Sequence, residues 1–196
     1  PYYFSAVRSC ANLKLPVIFV AENNFQYMGV PMALTVPTKY ISEYTKGLGI
    51  PNHLVDGNDV TAVYAATKEA LKWPGAGKGP SVIEGITYRW YDHAGFAVGR
   101  VAQDAAMGLP YRSDEEVKQW MSRDPNVRFK AWIIAKGLAS EADLTAIETK
   151  AQAAVEASIE FARKSADPNP EDGVLNTYAN SAAEATQFYN RRNIAA

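Results

Sequence analysis

The residues with the most chemical potential follow a short apolar run, in which Val17, Ile18, Phe19 and Val20 lead into Glu22, Asn23 and Asn24. A continuous apolar segment of this length, opened by Pro16, reads as a strand buried on both faces, as in a parallel sheet. Open α/β sheets bind ligands just beyond the carboxyl ends of their strands. Hard oxygens at such an end suit Mg²⁺ beside a phosphate. The Asn24 side chain can enter an octahedral shell, and the main-chain carbonyl of Gln26, two positions on, can add a second ligand. The same residues also read as a plain turn after a core strand, because Asn tolerates left-handed backbone. His93 is the second candidate. It stands in a glycine-containing stretch after an apolar segment, where an imidazole can move protons or can simply be a solvated loop side chain. Asp56 and Asp59 offer carboxylates, but Val-Asp-Gly-Asn-Asp reads better as a turn followed by a helix cap. His53 reads as structural, and Arg89 and Arg112 as loop and helix-start cations.

Holding these groups in place calls for alternating strands and helices. Phe4, Val7, Cys10 and Ala11 share one face of a first helix, which stops before the strand at Pro16. Tyr40, Ile41, Tyr44 and Leu48 recur at helical spacing over residues 38–48, and Gly49 with Pro51 ends that pattern. Val55-Asp56-Gly57 closes a second strand, and Asp59 caps a helix bearing Val60, Val63, Tyr64, Thr67 and Leu71. Breakers over residues 74–80 end the helix, and residues 81–86 form the next strand. Strand, helix, strand implies a parallel sheet.

Residues 91–110 show no period, as expected of a functional or disordered loop. Ser113 with Glu116 is a capping-box pair opening a helix with Val117 and Trp120. Ser140 with Asp143 opens a long helix striped by Leu144, Ile147, Ala151, Val155 and Ile159. Residues 167–173 break order, and residues 176–196 read as a marginal tail.

Composition excludes more than it assigns. At 196 residues, 47% apolar and with a net charge of −1, the chain is expected to be an ordinary soluble protein, with no electrostatic reason to bind nucleic acid or an anionic membrane. Cys10 is the only cysteine, so neither an intrachain disulfide nor a cysteine metal cluster is available. No apolar run reaches transmembrane length and no secretory signal opens the chain, which points to an intracellular protein. No Gly-x-Gly-x-x-Gly opens a helix after a strand, so a nicotinamide or flavin site is not indicated.

Four motifs occur in order: Leu-Pro-Val-Ile-Phe-Val-Ala-Glu-Asn-Asn at residues 15–24, Val-Asp-Gly-Asn-Asp-Val at 55–60, Gly-Lys-Gly-Pro-Ser-Val-Ile-Glu-Gly-Ile-Thr-Tyr-Arg-Trp at 77–90 leading to His93, and Pro-Tyr-Arg-Ser-Asp-Glu-Glu-Val at 110–117 with Arg123-Asp124-Pro125 behind it. Together they resemble the α subunit of the decarboxylating component of thiamine-diphosphate-dependent 2-oxo-acid and acetoin dehydrogenases, over roughly residues 1–165. The resemblance implies a partial thiamine-diphosphate-binding fold, with a parallel sheet and flanking helices over residues 1–125 and a helical extension and tail over 126–196.

It also implies thiamine diphosphate and Mg²⁺ as cofactors. Asn24 would be a metal ligand through its side chain and Gln26 through its carbonyl, and Tyr27 would lie where the backbone passes the diphosphate. His93 would sit on a loop over the diphosphate, as a cofactor-binding and catalytic residue. Arg89 and Arg112 would pair with acidic residues of the ordered loops. Ala94 stands where animal pyruvate dehydrogenases carry a phosphorylatable serine, so kinase control there is not expected.

The implied partners are a β-type subunit carrying the glutamate on the aminopyrimidine side, a chain carrying the Gly-Asp-Gly segment, and in some assemblies an acyltransferase core. The arrangement would be a heterotetramer of the cytoplasm, or of the mitochondrial matrix in a eukaryote. The residues before Asn24 include neither Gly nor Asp, so the Gly-Asp-Gly segment is expected on a separate or cleaved polypeptide. A non-catalytic partner that retains the fold, and an unrelated α/β ligand-binding domain, are the competing readings.

Overall fold

A computed structural model describes residues 2–91, 93, 111–170 and 173. The chain divides into two units, Pro1–Ser140 and Glu141–Ala196.

The first unit is built on a three-stranded parallel sheet. Its strands are β1 (Ile18–Asn23), β4 (Asn52–Asp56) and β5 (Ser81–Ile86), in the order β1-β5-β4. Ile18 lies opposite Ser81 on one side of β5, and His53 lies opposite Ile83 on the other. Between β1 and β4 a two-residue ribbon pairs β2 (Gln26–Tyr27) with β3 (Val30–Pro31) antiparallel. A 3₁₀ helix, Ile41–Leu48, follows. The helices of this unit are α1 (Tyr2–Asn12), α2 (Val60–Gly75), α3 (Asp114–Met121) and α4 (Pro125–Ala135).

Central β5 has its first four residues buried, and strand alternation sends them to two layers. Ser81 faces α2 and donates from Oγ to the carbonyl of Ala70 at 2.8 Å. Glu84, on the opposite face, meets the start of the 3₁₀ helix. Apolar burial gathers at Val82 and Ile83 of β5, Val7 of α1, Ala70 of α2 and Val117 of α3. These positions remove apolar surface from water on both sides of the central strand.

Two sequence expectations are corrected here. The apolar run at residues 17–20 is not buried on both faces. Among the described residues β1 pairs only with β5, and Val20 is 64% exposed. The helix expected over residues 38–48 begins only at Ile41 and is of the tighter 3₁₀ form. Tyr40 is extended and exchanges two bonds with Glu43: its carbonyl accepts from the Glu43 amide at 3.2 Å, and its amide donates to Glu43 Oε2 at 3.3 Å.

The β4-α2-β5 unit follows its pattern closely. Asp59 caps α2, accepting from the amides of Thr61 and Ala62 at 3.0 Å each. The helix runs through Pro74 and ends at Gly75. Gly57 is required at the turn after β4, since a Cβ there would lie 2.9 Å from the carbonyl oxygen of Ile86. Ser113 caps α3 by accepting from the Glu116 amide at 3.1 Å.

The units divide after Ser140, whereas the motifs place a boundary at 125. The difference has a physical cause, because α4 carries Arg128, which is bonded to the turn after β4. The second unit is described by α5, Glu141–Lys164, on which Ile147, Val155, Ile159 and Phe161 are exposed. Residues 176–196 and most of the stretch 91–110 lie outside the described residues.

Candidate functional site

The turn leaving β1 is set by two consecutive asparagines with different partners. Asn23 is buried, and its Oδ1 accepts from the amide of Phe25 at 2.9 Å while its Nδ2 donates to Glu84 Oε1 at 2.6 Å. Asn24 is half-buried, and its Oδ1 accepts from the amide of Gln26 at 3.0 Å. These bonds hold Phe25 at φ +59°, and Met28, closing the same turn, has φ +55°. Two bulky residues in left-handed backbone are strained, and such strain persists where the surroundings over-determine it.

Glu22, Asn24, Gln26, Met32 and Ile41 line a cavity of about 180 Å³ at this carboxyl end of the sheet, and Tyr27 adds to its rim. Asn24, Gln26 and Tyr27 thus line one cavity. A carboxamide oxygen has two lone pairs, so the bond to Gln26 leaves one on Asn24 for a ligand. Gln26 Oε1 is buried with no hydrogen-bond partner, an acceptor suited to a donor or a cation.

Among the described residues, no group of three or more His, Cys, Asp or Glu could hold a metal. Asn24 and Gln26 contribute neutral oxygens only. A Mg²⁺ ion here would draw its anionic ligands from a phosphate, from Glu22 of the same cavity or from an acidic side chain elsewhere. On those terms the residues fit one side of a metal and diphosphate site.

His93 is exposed and does not line this cavity, but Arg89 connects the two. The Arg89 guanidinium donates from Nη2 to the carbonyl of Met28 at 2.5 Å and from Nε to that of Tyr91 at 3.0 Å, and its Nη1 lies 3.4 Å from His93 Nδ1. Arg112 Nη1 donates to the carbonyl of Arg89 at 3.0 Å. Main-chain oxygens of Met28 and Tyr91 accept from Arg89, and those of Arg89 and Tyr91 from Arg112. Acidic partners within residues 94–110 fall outside the described residues.

Tyr88, next to Arg89, stacks on Trp120 of α3 with centroids 5.3 Å apart. Partial burial and the neighbouring Glu116 carboxylate push its phenol up to about 12. Burial likewise raises the Tyr3 phenol, and the charge of Glu84 adds to the rise.

Asp56 and Asp59 have other work, as the turn-and-cap reading expects. Asp56 Oδ1 accepts from the Asn58 amide at 3.0 Å, and its Oδ2 meets Arg123 at 2.9 Å and Arg128 at 3.1 Å. Partial burial pushes the Asp56 carboxyl upward. The Asn58 amide and the guanidiniums of Arg128 and Arg123 outweigh that and hold it below its ordinary value. The Thr61 hydroxyl and the Ala62 amide lower Asp59 in the same way.

Sequence reasoning missed Glu84. The available signal was a glutamate inside the otherwise apolar or small segment Ser-Val-Ile-Glu-Gly-Ile, since a charge in a central strand demands partners.

An open parallel α/β sheet, with a strained turn and a polar cavity at the carboxyl end of one strand, is the arrangement of an α/β ligand-binding domain. Residues 3–171 match the family described as "Dehydrogenase E1 component", and the chain belongs to that family. It is 33% identical over 160 residues to the pyruvate dehydrogenase E1 component subunit alpha of Staphylococcus epidermidis, and 34% identical over 160 residues to that of Staphylococcus aureus. Each alignment covers 82% of this chain and 41% of the relative, so the chain spans about two fifths of the length of these proteins.

Proposed function

We propose that this chain forms the metal and diphosphate side of a thiamine-diphosphate- and Mg²⁺-dependent enzyme acting on a 2-oxo acid or acetoin. The observation that carries the reading is the turn after β1, where Asn24 and Gln26 line one cavity at the carboxyl end of a parallel sheet. The relatives, named as pyruvate dehydrogenase alpha subunits, favour a 2-oxo acid as substrate.

Thiamine diphosphate, when bound, supplies the carbanion-stabilising chemistry of decarboxylation. The chain's own residues supply position and charge. Asn24 Oδ1 and the Gln26 carbonyl would hold Mg²⁺, and Tyr27 would pass its backbone along the diphosphate. Arg89, joined to the Met28 carbonyl, would keep the His93 imidazole near that turn, where it can donate to phosphate or carry a proton.

Such a site is completed by other segments: a β-type subunit carrying the aminopyrimidine-side glutamate, and a segment bearing Gly-Asp-Gly. The edge position of β1 and the groove of about 560 Å³ beside it, lined by Tyr3, Phe4, Val20 and Tyr44, support an added segment there.

Titrating Mg²⁺ and thiamine diphosphate into the assembled protein and its Asn24→Ala variant tests the reading. Loss of one ligand and its hydrogen bonding weakens binding by about 1–3 kcal/mol without unfolding. Unchanged affinity would remove Asn24 from the site.

A further inference from the structure

Glu84 lies at the middle of the central strand with no exposed surface, and three N–H donors from two separate segments converge on its carboxylate. Asn23 Nδ2 and the Ile41 amide donate to Oε1 at 2.6 and 2.9 Å, and the Ser42 amide donates to Oε2 at 2.7 Å. Taking a carboxylate out of water is costly, and these hydrogen bonds offset the cost. What they hold is specific. Asn23 uses its other side-chain atom to accept from Phe25, the left-handed residue that starts the strained turn. Because Glu84 only accepts, it orients the Asn23 carboxamide with oxygen toward Phe25, and the turn bearing Asn24 and Gln26 follows. Ile41, held by the same carboxylate, lines the same cavity. Two segments that line the cavity are therefore tied to one side chain that does not itself line it.

We propose that Glu84 is a positioning residue for the metal and diphosphate site: through Asn23 it sets the turn that carries Asn24 and Gln26, and through the Ile41 and Ser42 amides it fixes a second segment that lines the same cavity. The proposal rests on the functional reading above, and the test separates the two. Glu84→Gln keeps the shape but turns an amide NH₂ toward at least one of the three donors.

In the assembled protein, Mg²⁺ binding at saturating thiamine diphosphate should weaken by about 10- to 100-fold, the effect typical of residues that orient metal ligands. Amide hydrogen exchange at Phe25, Ile41 and Ser42 should quicken, with thermal unfolding of the assembly still cooperative. On an Asn24→Ala background the same change should weaken Mg²⁺ binding by less than it does alone, because part of its effect passes through Asn24.

Parent-like Mg²⁺ binding in Glu84→Gln, or an equally large loss on the Asn24→Ala background, overturns the positioning role while leaving the functional reading intact. Unchanged Mg²⁺ binding in Asn24→Ala overturns the functional reading, and this proposal with it. Should Glu84→Gln fail to fold, Asn23→Ala breaks only the link to the turn and carries the same expectation for Mg²⁺ binding and for exchange at Phe25, with the same refutation.

Discussion

Replacing Asp56 with Asn should loosen the attachment of α4 to the sheet, in a way that depends on pH. The carboxylate meets Arg123 at 2.9 Å and Arg128 at 3.1 Å, and the three side chains are 29%, 47% and 38% exposed. Water screens pairs this exposed, so two of them contribute together about 0.5–2 kcal/mol. For a chain of this size that is a fall in Tm of about 1–8 °C. Asn keeps the acceptor for the Asn58 amide, so the turn itself should survive.

The folded carboxyl lies below its ordinary 3.8. Its contribution is therefore fully present above that value, and it is lost as pH falls through the lower, folded value. Urea unfolding of parent and Asp56→Asn proteins, at neutral pH and at steps below pH 5, should show a stability gap that closes toward acid. A gap that stays constant into acid, or no gap at neutral pH, would refute the ion-pair account.

Gly57→Ala should destabilise the fold by about 1–3 kcal/mol, the usual cost of overpacking, since its Cβ would press on the Ile86 carbonyl at 2.9 Å. Denaturant midpoints measure this, and an unchanged midpoint would mean that the turn relaxes freely. His93→Ala should cut turnover of the assembled enzyme by about 10²–10⁴-fold if the imidazole moves a proton. The melting temperature should hardly change, because the side chain is exposed. Full activity in that variant would leave His93 as a loop residue only.

The parts of the fold that could be read from sequence are those specified by neighbours a few residues away. Asp59 capping α2, Ser113 capping α3 and the turn at Gly57 all follow from local chemistry, and all are in the structure. The position of β1 in the sheet could not be read this way, since an apolar run looks the same whether one side or both sides are covered. Only the β1-β5-β4 order shows Val20 at an edge. The cavity residues Asn24, Gln26 and Tyr27 were legible because they are nearly consecutive. The Asn23–Glu84 bond joins residues 61 positions apart, and the ties from Arg123 and Arg128 to Asp56 span 67 and 72. No periodicity links such distant positions. Taken alone, none of these residues signals its partner.

The strand order also constrains the sequence of folding events. Among the described strands β5 is the last in the chain and the one in the middle, so β1 and β4 take their places in this sheet only once residues 81–86 are made. His53 and its partner Ile83 are 30 residues apart, whereas Ile18 and Ser81 are 63 apart. Doubling the loop adds about 0.6 kcal/mol of closure entropy, which favours β4-α2-β5 as the nucleus, with β1 docking afterwards. Substitutions at Val55 should then slow refolding, whereas those at Phe19 should mainly speed unfolding, and the reverse pattern would exclude this order. Since Asn23 reaches Glu84 only once β1 has docked, the turn bearing Asn24 is among the last parts of the unit to take shape.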